Sequence, residues 1–191
     1  MFTYPTMHHS AVVVGGGATG PVTPTIDGGA IATPTFTDAE DPILMGEVGL
    51  VQRDGAASFT MTAGPPQGAT ITKADLRINL RATGGTAGKT ADVDVSVENA
   101  DDAAVYADTA GNRPEDRTYI TSVAKTLTFS TLEVIDLITP IQTLVNRAGY
   151  AGALAKINIA CFNNTSTAKN FWVESDNMTT GTPWDLDIEW S

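Results

Sequence analysis

The chain has 191 residues, of which 42% are hydrophobic and 17% charged, so it can bury a core but needs Thr, Ser, Asn and Gly on its surface. Acidic residues number 22 against 11 Lys and Arg, which gives a formal net charge of −11 and argues against binding to nucleic acid. No apolar run approaches the roughly 18 residues of a membrane span, and the N-terminus lacks a signal-peptide pattern, so no membrane partner is expected.

Residues 1–43 are predicted to form an extended N-terminal arm. They contain half of the 10 prolines, the glycine run 15–17 and many Thr and Ala residues. A segment with so little periodicity cannot close a core of its own. We expect it either to be disordered or to gain order by lying on neighbouring subunits, where its backbone would pair with a sheet edge.

Residues 44–191 are predicted to form a β-sandwich domain. Apolar and polar residues alternate over 75–81 and over 92–98, and each run is typical of a strand with one apolar face. Six further runs bring the total to about eight strands: 47–52, 58–62, 123–129, 154–162, 170–174 and 184–190. Short strands with one polar face each predict two packed antiparallel sheets. The single cysteine, Cys161, falls in an apolar run and is expected to be buried.

One segment departs from the strand pattern and predicts a short helix. Thr139 is the expected N-cap, Pro140 the first helical residue, and Gln142 completes a capping box. Gly149 is the expected stop signal. The buried face of this helix is expected to carry its apolar residues, namely Ile141, Leu144 and Val145.

An acidic loop over residues 99–116 is the candidate metal site. Asp101, Asp102 and Asp108 supply hard oxygen ligands of the kind that Ca²⁺ accepts. Their spacing does not match an EF-hand, and a solvated acidic loop is favoured over a structural calcium ion. Apart from that ion, no cofactor is expected.

Catalytic chemistry is not expected from this sequence. The only histidines, His8 and His9, lie in the arm, and no Gly-x-Ser-x-Gly motif or phosphate loop is present. The histidine pair is better explained as an exposed polar pair than as a metal contact. Carboxylates at 185, 187 and 189 share the polar face of one strand without evident partners, and such residues are usually solvated.

Trp172 is the first candidate for a binding residue. It alternates with Phe171 and Val173, so its side chain should lie on the opposite side of the strand, together with Glu174. An outward tryptophan can stack on a sugar ring or anchor a protein interface. It can equally be covered by the protein's own arm.

The order of these elements resembles a known family. An opening strand at 73–78, the helix with residues 146–154, and the closing segment 182–190 are similar to jelly-roll sandwiches of the DNRLRE-type or carbohydrate-binding-module-like class. Tyr150 stands where that family often has Trp, and Trp184 precedes the closing strand. The resemblance implies an all-β jelly-roll β-sandwich that binds or forms a coat, as in bacteriophage virion proteins, and Tyr150 and Trp184 join Trp172 as candidates for interface or glycan contacts.

We therefore expect a non-enzymatic bacteriophage virion structural protein, located on the capsid surface as a decoration or cement protein. Its expected partners are the major capsid protein and sister subunits, with a trimer favoured. The alternative is a carbohydrate- or receptor-binding module of a tail fibre or cell-surface protein. A third possibility is an accessory domain of a hydrolase.

Overall fold

The computed structural model describes residues 16–31, 35–38, 40–48, 51–82, 90–164, 172–177 and 181–191. Within these ranges, twelve strands form two antiparallel sheets, with one α-helix. The predicted all-β sandwich is confirmed, with more strands than the eight expected. The jelly-roll order of the strands stays a prediction.

The elements follow the chain in a simple order. The strands are β1 (Gly17–Ala18), β2 (Ile26–Ile31), β3 (Thr35–Asp38), β4 (Ile43–Val48), β5 (Val51–Thr60), β6 (Ile71–Asn79), β7 (Thr90–Val97), β8 (Val123–Thr128), β9 (Leu132–Asp136), β10 (Lys156–Asn163), β11 (Trp172–Ser175) and β12 (Asp185–Trp190). The helix α1 (Ile138–Val145) follows β9, and two 3₁₀ turns occupy Pro114–Asp116 and Gly152–Leu154.

Sheet A has the strand order β1-β12-β6-β9. Sheet B follows the order β11-β4-β5-β10-β7-β8, and β2 pairs with β5 while β3 pairs with β2. The sandwich core lies between the sheets because the alternating apolar side chains of each strand face inward. It includes Leu76, Val95, Ile159 and Trp184, all fully buried. Cys161 is buried with them, as predicted, and burial raises the pKa of its thiol.

Three of the strands that the sequence did not predict lie in the N-terminal segment. β2 pairs with β5 from Ile26 opposite Ser58 to Ile31 opposite Arg53, and β1 pairs with β12. The described part of this segment thus finds its backbone partners in its own chain, which corrects the expectation that it needs neighbouring subunits for order. The physical reason is that β12 has an open side in sheet A and that β5 extends beyond the three residues it pairs with β4, so both strands have backbone groups for this segment to bond. Residues 1–15, including His8 and His9, lie outside the described residues.

The helix begins differently from the prediction. Leu137, not Thr139, occupies the N-cap, and the side chain of this N-cap residue makes no capping hydrogen bond. The N–H of Ile138, the first helical residue, donates to Asp136 Oδ1 at 2.8 Å. The helix ends at Val145, with Asn146 as its C-cap, before Gly149 is reached. Its apolar face is buried as predicted.

Gln142 ties this helix to sheet A instead of closing a capping box. Its Oε1 accepts a hydrogen bond from Ile71 N–H at 2.8 Å, and its Nε2 donates to Ala69 O at 2.9 Å. These two bonds satisfy backbone groups where β6 begins, a tertiary role that the local pattern around the helix start could not reveal.

Candidate functional site

The two sheets differ in what covers their outer faces. Sheet B carries residues 99–122, which we call the lid, across the outward side of β5, β10 and β7. Tyr106 of the lid is fully buried, and its backbone N–H donates to Ser58 Oγ of β5 at 3.0 Å. Its ring joins a second small core with Phe36, Ala56 and Ala160. The lid and β3 together therefore seal this face with apolar contacts.

Hydrogen bonds between aromatic side chains hold the lid in one conformation. The hydroxyls of Tyr106 and Tyr119 lie 2.9 Å apart, and Tyr119 donates to Pro114 O at 2.7 Å. The Tyr119 ring meets Phe162 of β10 edge to face, with centroids 5.1 Å apart. Burial raises the pKa of both tyrosines. They remain neutral and can donate hydrogen bonds throughout the physiological range.

A buried ion pair fastens the lid to β7. Arg117 Nη1 of the lid lies 3.0 Å from Glu98 Oε1, with side chains only 12% and 5% exposed. Asn158 Nδ2 donates to the other Glu98 oxygen at 2.7 Å. Arg117 also donates to Ala104 O and to Asn112 Oδ1. Because these charges are shielded from water, each depends strongly on its partner.

The three predicted calcium ligands do not meet at one point. Arg147 Nε binds Asp101 Oδ1 at 2.5 Å, Lys156 Nζ binds Asp102 at 3.0 Å, and Arg113 Nε binds Asp108 Oδ1 at 2.7 Å. Hydrogen bonds from these cations lower the pKa of Asp102 and of Asp108. Across the described ranges, no three His, Cys, Asp or Glu side chains are grouped so that they could hold a metal ion. The acidic loop is thus used for ion pairs that anchor the lid.

Asp54 of β5, beside the lid, is a carboxyl group whose pKa is raised by burial. Its Oδ1 accepts a hydrogen bond from Asn163 N–H at 2.6 Å. Burial raises the pKa of Asp54 to about 6, against the smaller opposing effect of that hydrogen bond, and the charge of Glu115 raises it further. The carboxyl group therefore changes its charge close to neutral pH.

The outer face of sheet A carries no such cover within the described residues, and its polar side chains pair with one another. We call this surface the open face; it is formed by the outward residues of β6, β9 and β12, namely Lys73, Asp75, Arg77, Asn79, Leu132, Val134, Asp136, Asp185, Asp187 and Glu189. The carboxylates of β12 have partners that the sequence did not reveal. Asp187 is 2.6 Å from Lys73 Nζ, and Asp185 is 2.9 Å from Arg77 Nη1. The hydrogen bond from Lys73 lowers the pKa of Asp187.

Two aliphatic side chains on β9 are exposed at one side of the open face. Leu132 is 58% and Val134 44% exposed, and these residues lie opposite Asn79 and Arg77 of β6. Side chains two positions apart on a strand share one face, about 7 Å apart. An apolar pair bordered by charged groups has the arrangement that protein interfaces use, an apolar centre within a polar rim.

Lys125 of β8 in sheet B contacts β9, the edge strand of sheet A. Its Nζ lies 2.9 Å from Glu133 Oε2 and donates to the backbone oxygen of Val134 at 3.3 Å. β9 bonds to β6 through Thr131 and Leu137, so the backbone groups of Leu132, Val134 and Asp136 face away from β6. Lys125 therefore occupies an acceptor that an added strand would need.

The three candidate binding aromatics lie in different environments. Trp184 is fully buried and donates its indole N–H to Ser175 Oγ at 2.9 Å, and Tyr150 is 6% exposed. Burial raises the pKa of Tyr150 to about 12. Neither ring can stack on a glycan, because both are covered by the core; for these two residues the prediction is corrected.

Trp172 is half-buried on the opposite side of β11 from the buried Val173, as the alternation predicts. It lies opposite Gly46 of β4, and its indole N–H donates to Glu174 Oε1 at 3.4 Å. Trp172 is intermediate in exposure and not covered by the core, so it remains a candidate.

Sequence reasoning missed the exposed pair on β9 and the buried role of Tyr106. The alternation of Leu132, Val134 and the buried Ile135 does not follow the usual strand rhythm, since apolar residues occupy both faces there. An apolar residue on each face of one strand is the signal that could have marked a second contact surface.

Among the described residues, no helix is long and apolar enough to cross a membrane. Searches against protein-family models and against curated proteins find no match to this chain.

Proposed function

We propose that this protein is a non-enzymatic structural protein of a bacteriophage virion, a decoration or cement protein on the capsid surface. Its partners would be the major capsid protein and sister subunits. A trimer is the favoured assembly, since arms that extend from a sandwich can be shared around a symmetry axis. Neither nucleic acid nor membrane is part of this proposal, in keeping with the net charge of −11.

The observation that carries the proposal is the contrast between the sealed and the open sheet. The lid covers sheet B, while the outer face of sheet A is polar and carries an exposed aliphatic pair. A module with one broad accessible sheet can lie on a lattice of another protein. The sequence resemblance to jelly-roll sandwiches found in virion proteins supports the same function, and the jelly-roll order belongs to this proposal.

The N-terminal arm has a narrower part in this proposal than its sequence suggested. Residues 17–18 and 26–31 already pair with strands of their own subunit. Contacts with sister subunits or with the capsid would therefore be made by residues 1–15, before the first described strand.

Sedimentation of virus particles tests the proposal directly. The protein should sediment with particles in a fixed, high ratio to the major capsid protein, and a form lacking residues 1–15 should bind less tightly or lose its oligomer. Analytical ultracentrifugation of both forms measures the oligomer in isolation. A protein that is absent from particles, or a stable monomer indifferent to the truncation, would count against the proposal.

A second candidate function is a carbohydrate- or receptor-binding module, favoured by the position of Trp172, which the core does not cover. Glycan-array binding should then be present in the natural protein, lost in Trp172→Ala and partly kept in Trp172→Phe, because a phenyl ring still stacks on a sugar. Equal binding by Trp172→Ala, or silence across a broad array, would reject this alternative.

A further inference from the structure

Most of the positive charges among the described residues are already used in ion pairs within the chain. Eight of the nine Lys and Arg residues in the described ranges form ion pairs with carboxylates of the same chain. Acidic residues are twice as numerous as basic ones in the whole chain. The described part of the molecule therefore has few cations available for a partner, and the surplus charge of the chain is negative.

The open face shares this surplus. It contains five carboxylates, on β6, β9 and β12, against the two cations Lys73 and Arg77. Glu189 has a side chain 49% exposed and lies 3.3 Å from a lysine that Asp187 already binds at 2.6 Å. Asp136, at the end of β9, is exposed beside the aliphatic pair. A partner that approaches this surface meets net negative charge next to Leu132 and Val134.

We infer that the open face binds a basic protein surface on which an aliphatic group is surrounded by lysine or arginine. Leu132 and Val134 would receive the aliphatic contact, while the solvent-accessible carboxylates of Asp136, Asp185 and Glu189 attract the surrounding cations. Charge pairs at the rim of an interface increase the association rate and fix orientation, and the apolar centre supplies most of the affinity.

A second copy of this chain fits the open face less well. Two such faces brought together would each bring five carboxylates against two cations, and net charges of the same sign in an interface are unfavourable. Apart from Arg53, the described cations outside the open face are held by carboxylates of their own chain, so a described surface of a second copy offers few cations to this face without breaking such pairs. On this charge complementarity the inferred occupant is a different, basic protein.

The contact uses the face of β9 and not its edge. Lys125 already donates to the backbone oxygen of Val134 at 3.3 Å, so a partner strand added there would compete with that bond. The side chains of Leu132 and Val134 remain free to be covered from above the sheet. This inference rests on the proposed function, because it names the surface and the partner chemistry through which a decoration protein would attach.

Three peptides of about ten residues serve as probes for the isotope-labelled full-length protein. One alternates Lys and Leu, one alternates Lys and Ser, and one alternates Glu and Leu. Nuclear magnetic resonance titration should show that the Lys–Leu peptide shifts the amides of Leu132, Val134 and Arg77. It should bind about tenfold more tightly than the Lys–Ser peptide, and the Glu–Leu peptide should leave these amides unchanged.

A double variant, Leu132→Ser with Val134→Ser, provides the matched control. It should stay folded because both side chains are exposed, and it should bind the Lys–Leu and Lys–Ser peptides equally weakly. Undiminished selectivity in this variant would overturn the inference, as would shifts confined to the lid. Shifts at Leu132 and Val134 that depend on protein concentration without peptide would identify a second copy instead and would overturn it too.

These results separate the inference from the proposal on which it rests. If the peptides show no selectivity but the protein sediments with particles, the docking face is rejected and the virion function stands. If the peptides bind as expected but the protein is absent from particles, the virion function is rejected and the basic-partner surface stands.

Discussion

The outer faces of the two sheets use similar polar residues under different conditions. At sheet B, Arg117 of the lid is paired with Glu98, and their side chains are only 12% and 5% exposed. On sheet A, Asp185 and Arg77 form a pair at nearly the same distance, yet both keep over a fifth of their side-chain surface in contact with water. The same chemistry should therefore matter greatly for stability on the sealed face and little on the open one.

The largest effect should come from the aromatic anchor of the sealed face. Tyr106→Ala removes a fully buried ring from the second core and should reduce the free energy of unfolding by about 3–5 kcal/mol. Urea denaturation measures this loss. Tyr106→Phe is the control; it keeps the ring, loses the hydrogen bond to Tyr119, and should cost about 1 kcal/mol. Equal losses in the two variants would show that the ring does not hold the lid.

The next largest effect should come from the buried ion pair. Glu98→Ala leaves Arg117 and Asn158 without their acceptor beneath the lid and should destabilise the protein by about 3 kcal/mol. Adding Arg117→Ala should recover part of that loss, because the unpaired buried charge is then gone. Urea denaturation of Glu98→Ala, Arg117→Ala and the double variant measures this. A loss in the double variant equal to the sum of the two single losses would contradict the prediction.

An intermediate effect should appear in the pH dependence of stability. The pKa of Asp54 is about 6 in the folded protein and near 3.8 when unfolded, so the folded state holds a proton that the unfolded state has released. Its stabilising contribution is complete below the unfolded pKa and is lost as the pH rises through about 6. Between about pH 4 and pH 7 the free energy of unfolding should fall by about 2 kcal/mol on this account.

Asp54→Asn tests this sign, because asparagine has no proton to lose. Urea denaturation at several pH values should give a flatter profile for the variant, with a remaining slope of the same sign from Glu40, whose pKa burial also raises. The lowered pKa values of Asp102, Asp108 and Asp187 act at more acidic pH and do not obscure this window. An unchanged profile in the variant would assign the pH dependence to other groups.

The smallest effect should come from the open face. Asp185→Asn removes a charge from an ion pair with Arg77 at 2.9 Å, and we expect a loss below about 1 kcal/mol that shrinks further in high salt. Urea denaturation at low and high ionic strength measures both. A loss as large as that of Glu98→Ala would mean that the open face is covered in the folded protein.

Sequence patterns predicted the strands whose inward side chains alternate over a long run. β6, β7 and β12 belong to this group, since a period of two residues is a local signal. β2 was missed because Gly28 and Gly29 interrupt its alternation. It forms because backbone groups along one side of β5 are available to pair with it. The helix start was misplaced because Gln142 bonds with residues about 70 positions away, at the beginning of β6.

The candidate site was less predictable than the fold. Trp172 could be assigned to the outward side of β11 from its neighbours alone, but the burial of Tyr150 and Trp184 depends on which surfaces meet in three dimensions. The acidic loop was recognised as a cluster of oxygen ligands, and its true partners, Arg147 and Lys156, lie 46 and 54 residues further along the chain. Long-range pairing of this kind leaves no local spacing to detect.

Lys125, which connects β8 to β9, affects how copies of this protein can pack side by side. An exposed strand edge can recruit the edge of a neighbour, and this contact repeats without limit when many copies stand side by side. Lys125 donates to the carbonyl of Val134 and pairs with the carboxylate of Glu133, and a lysine at a strand edge opposes pairing with another chain. Where copies of this protein stand close together, Lys125 therefore disfavours the growth of fibres from that edge.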